Sequence, residues 1–140
     1  MLDKEQVSIM IKDIEKYLFD LSEMRVSSKD DLSEREKYYA VSMVIFSVMN
    51  RAIDIGNEIL SSSAGLSLPG TYKETFDILA KSKAISGETA AKMNKLVKYR
   101  NIIAHEYYTL SIDEMWKIKN GLSNVTLFID EVKKYVMRFR

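Results

Sequence analysis

The stretch SIDEMWKIKNGLSNVTLFIDEVKKYVMRF, residues 111–139, repeats its apolar side chains at Met115, Ile118, Leu122, Val125, Ile129, Val132, Val136 and Phe139, in steps that alternate three and four. A helix returns to the same face every 3.6 residues and a strand every second residue, so this period is helical. Strict alternation of three and four is also the seam of left-handed helix packing, the geometry of antiparallel bundles. Ser111 and Glu114, three apart, supply a capping box for the first turn. The spacing predicts one long final helix. Its seam would also serve a coiled-coil dimer, but one such helix among four others favours the core of a bundle.

The same period runs back through the chain. From about Asp3 to Arg25, Val7, Met10, Ile11, Ile14, Leu18 and Leu21 share one stripe. After SSKDD (27–31), Ser33 and Glu36 form a second box, and a helix extends to about Leu60 with Ile45, Val48, Met49, Ala52, Ile53 and Ile59 facing inward. SSSAGLSLPG (61–70) gathers small residues, two glycines and the chain's single proline, and marks the main loop. Thr71 with Glu74 opens a short helix through Phe76, Leu79 and Ala80 to about Lys83. Ser86 caps a fourth helix that carries Met93, Leu96 and Val97. The prediction is an all-α bundle of four long helices plus one short helix, a single domain over residues 1–140.

With 46% hydrophobic residues in 140, the chain can bury a real core. It has no cysteine, which excludes disulfides, thiolate nucleophiles and cysteine-based zinc sites, and one histidine argues against a histidine-rich metal site. The opening MLDKEQVSIM lacks a basic segment followed by an apolar run, and no stretch reaches bilayer-spanning length, so the expected compartment is the cytoplasm. A net charge of +1 speaks against coating nucleic acid by charge alone. The charge is unevenly spread, however. Residues 1–72 hold 8 basic against 12 acidic side chains, residues 73–100 hold 7 against 3, and residues 101–140 hold 6 against 5. The basic segment includes Lys92, Lys95 and Lys98, which form either a solvated face or a local patch for an anionic partner.

It leads into KYRNIIAHEYY, residues 98–108, which contains the only histidine. On an ideal helix with Arg100 at zero, Ala104 falls at about 40°, Tyr108 at about 80°, Asn101 at about 100°, His105 at about 140° and Tyr107 at about −20°. Ile102 and Ile103, at about 200° and 300°, are expected to turn toward the core. An outer arc bearing a guanidinium, an amide, an imidazole and two phenols is chemically richer than a solvating face requires. Residue type alone leaves open a histidine that merely complements a helix C-terminus, with Arg100 paired to Glu106 or to a neighbouring helix.

Arg100, four residues, His105, one residue and Tyr107 together resemble the Arg-x4-His-x-Tyr signature of HEPN-domain ribonucleases, with Asn101 as the polar residue after the arginine. The order RAIDIGNEIL (51–60), LPGTYKETFDILAKSKAIS (68–86), YRNIIAHEYY (99–108) and a long amphipathic last helix resembles the HepT branch, over roughly residues 5–138. The resemblance implies a homodimer of helical bundles whose two motifs face one cleft. It further implies an endoribonuclease toxin that needs no metal or other cofactor, and an MntA-type nucleotidyltransferase antitoxin that silences it by transferring AMP to a tyrosine. Carried onto this chain, Arg100 and His105 become catalytic, Asn101 supporting and Tyr107 the acceptor, with Tyr108 as an adjacent alternative. The chemistry suits these roles. Cleavage by the ribose 2′-hydroxyl needs a base, an acid and a cation at the phosphate; histidine serves as either of the first two near neutral pH, and arginine's planar fork fits the phosphate. One chain supplies only one histidine, so the second is expected from a second copy. The competing expectation is a noncatalytic subunit that docks a nucleotidyltransferase and positions its substrate.

Overall fold

The computed structural model describes residues 2–62, 72–106 and 110–139, and among them the regular structure is helical throughout. Helix α1 spans Lys4–Glu23, α2 Arg35–Ser62, α3 Tyr72–Lys81, α4 Gly87–Glu106, α5 Ile112–Gly121 and α6 Asn124–Met137. The long α2 lies at the centre, packing against α1, α3, α4 and α5, while α4 also meets α3 and α6. Among the described residues no helix is long and apolar enough to cross a membrane.

Helix starts follow local chemistry, with one displacement. Asp3 caps α1 by accepting from the Gln6 amide at 2.9 Å. Ser86 caps α4 by accepting from the Thr89 amide at 3.1 Å, and the Ser111–Glu114 box closes at α5 as expected. The box expected at Ser33 and Glu36 is replaced upstream. There a 3-10 turn over Lys29–Ser33 forms around Asp31, whose carboxylate accepts from the Ser27 and Ser28 amides at 2.8 and 3.0 Å. Those backbone donors hold the Asp31 carboxyl below its ordinary range. The Ser33 hydroxyl instead donates to the Asp30 carbonyl at 2.6 Å, and α2 begins two residues later. Thr71, the expected cap of α3, lies outside the described residues.

The expected single last helix is two. Leu122 and Ser123 remain right-handed, at φ/ψ of −62°/−20° and −58°/−24°, but the amides of Leu122, Val125 and Thr126 bond three residues back. These are 3-10 dihedrals and 3-10 bonds. Gly121 weakens the helix at this point, and the Ser123 and Thr126 hydroxyls donate to the Asn120 and Ser123 carbonyls, competing with the regular ladder. The tight turn does not disrupt the seam: Met115, Ile118, Leu122, Val125, Ile129 and Val132 are all buried across it. Only Val136, half-buried, and Phe139, exposed, leave the core at the end.

The core is closely fitted at two points that position α3 and α4. Phe76 of α3 meets Phe128 of α6 edge to face, centroids 5.5 Å apart, both rings fully buried. At Gly56 of α2, a Cβ would stand 2.5 Å from Thr75 Cγ2 and 3.1 Å from Leu79 Cδ1, so only glycine lets α3 approach this closely. The turn from α3 to α4 places Lys83 at φ 65°, and the Ala84 amide donates back to the Leu79 carbonyl at 2.9 Å.

Candidate active site

The two halves of α4 have different surroundings. In its first half, Ala90, Met93, Leu96 and Val97 are buried against the bundle. Glu131 of α6 reaches the N-terminus of α4, accepting from the Ser86 amide at 2.7 Å and from the buried Thr89 hydroxyl. A carboxylate at that end also complements the helix dipole. From Lys98 onward the helix turns polar: Lys98, Asn101, Ala104 and His105 are exposed, and Ile103 alone stays buried, with Ile102 halfway.

Arg100 departs from the outer arc expected for it. Its place on the helix continues the line of Met93, Leu96 and Val97, and its side chain is half-buried against α2. There Nε donates to Asn50 Oδ1 at 2.9 Å, and the guanidinium carbon sits 4.9 Å from the Phe46 ring centroid. Nη1 donates to Asn101 Oδ1 at 3.1 Å. The described partners of Arg100 therefore include a neutral amide on a neighbouring helix. The side chain of Glu106, the acid considered from the sequence, lies outside the described residues.

Beside Arg100 lies an apolar groove of about 640 Å³ lined by Tyr39, Ser42, Met43 and Phe46 of α2 and Ile103 and Ala104 of α4. Tyr39 and Met43 are exposed despite their size, at 46% and 63%. Tyr38, next to them, donates its hydroxyl to the Leu110 carbonyl at 2.6 Å and so fixes the chain just after the motif. Burial raises that phenol's pKa, with smaller contributions from Tyr39 and Glu114. Tyr107 and Tyr108 lie outside the described residues.

The three lysines do not form one cluster around the motif. Lys98 is two turns before His105, about 10 Å along the axis and nearly on the same side. Lys95 is exposed one turn farther back, and Lys92, about 20 Å from His105 along the axis, pairs with Glu88 at 3.2 Å.

Asn50, Phe46 and the groove escape a reading that follows one stripe per helix. Their signal is a second stripe on α2, Tyr39, Met43, Phe46 and Asn50, stepping by 4, 3 and 4 beside the core stripe. A helix apolar on two sides has more to cover than its own core.

The described residues thus form an all-helical bundle with a half-buried arginine and an exposed histidine five residues apart near the end of one helix. The chain belongs to the HepT-like ribonuclease family, whose model, Ribonuclease HepT-like, matches residues 10–132. A curated relative, the mRNA nuclease HepT of Shewanella oneidensis, is 30% identical over 82 residues, which are 58% of this chain and 61% of that protein. The match thus spans about three-fifths of the relative's length. Among solved structures, a toxin–antitoxin complex with AMP-PNP superposes with a TM-score of 0.86 at 20% identity, covering 94% of this chain and 99% of the other. The tri-AMPylated Shewanella oneidensis HEPN toxin in complex with its MNT antitoxin gives 0.85 at 21% identity, with the same coverage. YutE, a cytosolic protein of unknown function from Bacillus subtilis, gives 0.82 at 18% identity over 96% of this chain and 91% of its own. At these identities the superpositions establish the fold.

Proposed function

We propose that this protein is a cytoplasmic, metal-independent endoribonuclease toxin that cuts RNA at a cleft shared by two copies. The observation that carries this reading is the pairing of a held Arg100 with an exposed His105 on the last turns of α4, in a chain of the HepT-like ribonuclease family. In the proposed reaction a neutral His105 takes the proton from a ribose 2′-hydroxyl as that oxygen attacks the adjacent phosphorus. The bond to the 5′-oxygen breaks, and a protonated imidazole returns a proton to the leaving oxygen, giving a 2′,3′-cyclic phosphate and a 5′-hydroxyl. Arg100 stabilises the charge that accumulates on the phosphate oxygens. Asn101 supports it by accepting from Nη1.

Two considerations support a second copy. The chain has one histidine, whereas the reaction uses an acid and a base. Along one helix, moreover, residues five apart differ by about 140° and about 7.5 Å, so Arg100 and His105 of one chain point apart. The groove displaying Tyr39 and Met43 beside the motif is the apolar face we assign to the contact between copies. Lys98, and less directly Lys95 and Lys92, would attract the RNA backbone.

For regulation, the proposal extends to an MntA-type nucleotidyltransferase that transfers AMP to Tyr107, two residues past His105. A nucleotide there would add bulk and negative charge beside the groups that hold the substrate phosphate. The AMPylated HEPN toxin in complex with an MNT antitoxin supports this extension, as a property of that protein. Tyr107→Phe should keep cleavage and resist silencing; if instead it is silenced normally, Tyr107 is not the switch.

The deciding experiment is RNA cleavage by the purified chain in excess EDTA, with His105→Ala as control. The expected result is cleavage by the native chain and a loss of at least about 100-fold in the variant. Equal cleavage by both, or none by the native chain, overturns the nuclease reading.

A further inference from the structure

We infer that Asn50 is a positioning residue for Arg100, acting from a different helix through a neutral hydrogen bond, with Phe46 as the floor on which the guanidinium rests. The inference rests on the nuclease reading for its consequence, but on geometry for its content. Asn50 Oδ1 accepts from Arg100 Nε at 2.9 Å, and the Phe46 ring lies 4.9 Å from the guanidinium carbon. Phe46 and Asn50 are one turn apart on α2, so both face α4 together. They stand on a well-anchored stretch of α2, since the neighbouring Ile45, Val48 and Met49 are completely buried. An arginine side chain has many rotamers, and a site that acts at a defined point works best when the supporting groups remove that freedom beforehand.

The identity of the acceptor is informative. An amide oxygen orients Nε without cancelling the guanidinium's charge. A carboxylate in the same place would hold the same geometry but pair with the cation, and would repel a substrate phosphate. The structure therefore distinguishes two roles that a single substitution would confuse: orientation, which needs an acceptor, and charge, which needs that acceptor to be neutral. Asn50→Leu removes the first, and Asn50→Asp keeps the first while removing the second.

The test is steady-state RNA cleavage by native chain, Asn50→Leu and Asn50→Asp, each also made with Arg100→Ala, and each checked by thermal melting. Asn50→Leu should lower kcat by about 10- to 100-fold, the scale of losing a preset geometry. Asn50→Asp should act mainly on KM, raising it, and should flatten the dependence of binding on salt because one cation is neutralised. Neither change should lower cleavage further once Arg100 is alanine, because the effect passes through that side chain. A purely structural Asn50 would lower activity in both backgrounds alike, and that result overturns the inference. Cleavage by both variants at the native rate overturns it too, while leaving the nuclease reading intact. Should the native chain not cleave RNA, NMR of the Arg100 Nε proton still decides the geometry. A resonance protected in the native chain and in Asn50→Asp but lost in Asn50→Leu supports the inference; no difference among the three refutes it.

Discussion

The first and second halves of α4 are built from one continuous helix, yet they solve different problems. In the first, Met93, Leu96 and Val97 are buried, and the N-terminus is capped by Ser86 and held by Glu131. Its requirements are met inside one chain. In the second, Asn101 and His105 face solvent, and Arg100 is held from α2 beside an apolar groove that exposes Tyr39 and Met43. Of its described side chains, only Ile103 is buried in the core. The contrast teaches that the residues that hold the bundle and those of the proposed site lie on separate stretches of this helix; in the reading proposed above, a second copy completes the polar end.

The largest expected effect is on the chemical end. His105→Ala should reduce RNA cleavage by about 100- to 10,000-fold, as loss of a general acid or base does. As His105 is an exposed side chain, its stability change should stay within about 0.5 kcal/mol. Cleavage rate and thermal melting on the same preparation check both halves of that statement. Met93→Ala should do the reverse. Met93 is fully buried, and truncation is expected to cost about 2–5 kcal/mol in denaturant unfolding, while the fraction that remains folded still cleaves. If Met93→Ala destroyed cleavage in fully folded protein, the division along α4 would fail.

A smaller effect sharpens the account of how α3 is seated beneath α4. Gly56→Ala places a methyl against Thr75 Cγ2 and should destabilise by about 1–3 kcal/mol. Thr75→Ser removes the obstructing methyl, so the double variant should recover part of the loss. A simple sum of the two single effects would show that the close approach is not what requires glycine. The smallest effect concerns the turn that feeds α4. Lys83 has φ 65°, and Lys83→Gly should stabilise by roughly 0.5–1 kcal/mol in the same unfolding measurement, the relief of left-handed strain outweighing the added backbone freedom. Cleavage by the folded protein should not change.

Much of this architecture was legible in the amino-acid order because it rests on local rules. The alternation of three and four placed Met115 through Val132 in the core, and serine spacing located the starts of α4 and α5. Local rules also explain the two departures. The break at Leu122–Ser123 leaves both residues right-handed, so the hydrophobic period passes through it without a mark. At the start of α2, Ser33–Glu36 and Asp31 offered competing caps, and the backbone amides of Ser27 and Ser28 selected Asp31. For the candidate site, the amino-acid order offers residue identities but not their geometry. A single-helix projection put Arg100 on an outer arc, whereas α2 draws it half inside through Asn50 and Phe46. That contact joins residues fifty positions apart, beyond the reach of any pattern within one helix.

The most direct test of the shared cleft is to follow cleavage and mass together as the native chain is diluted, using sedimentation at each assay concentration. The expected result is that specific activity falls in step with the dimer fraction and is restored on reconcentration. A chain that is strictly monomeric at assay concentration and cleaves RNA at its full rate would contradict the account.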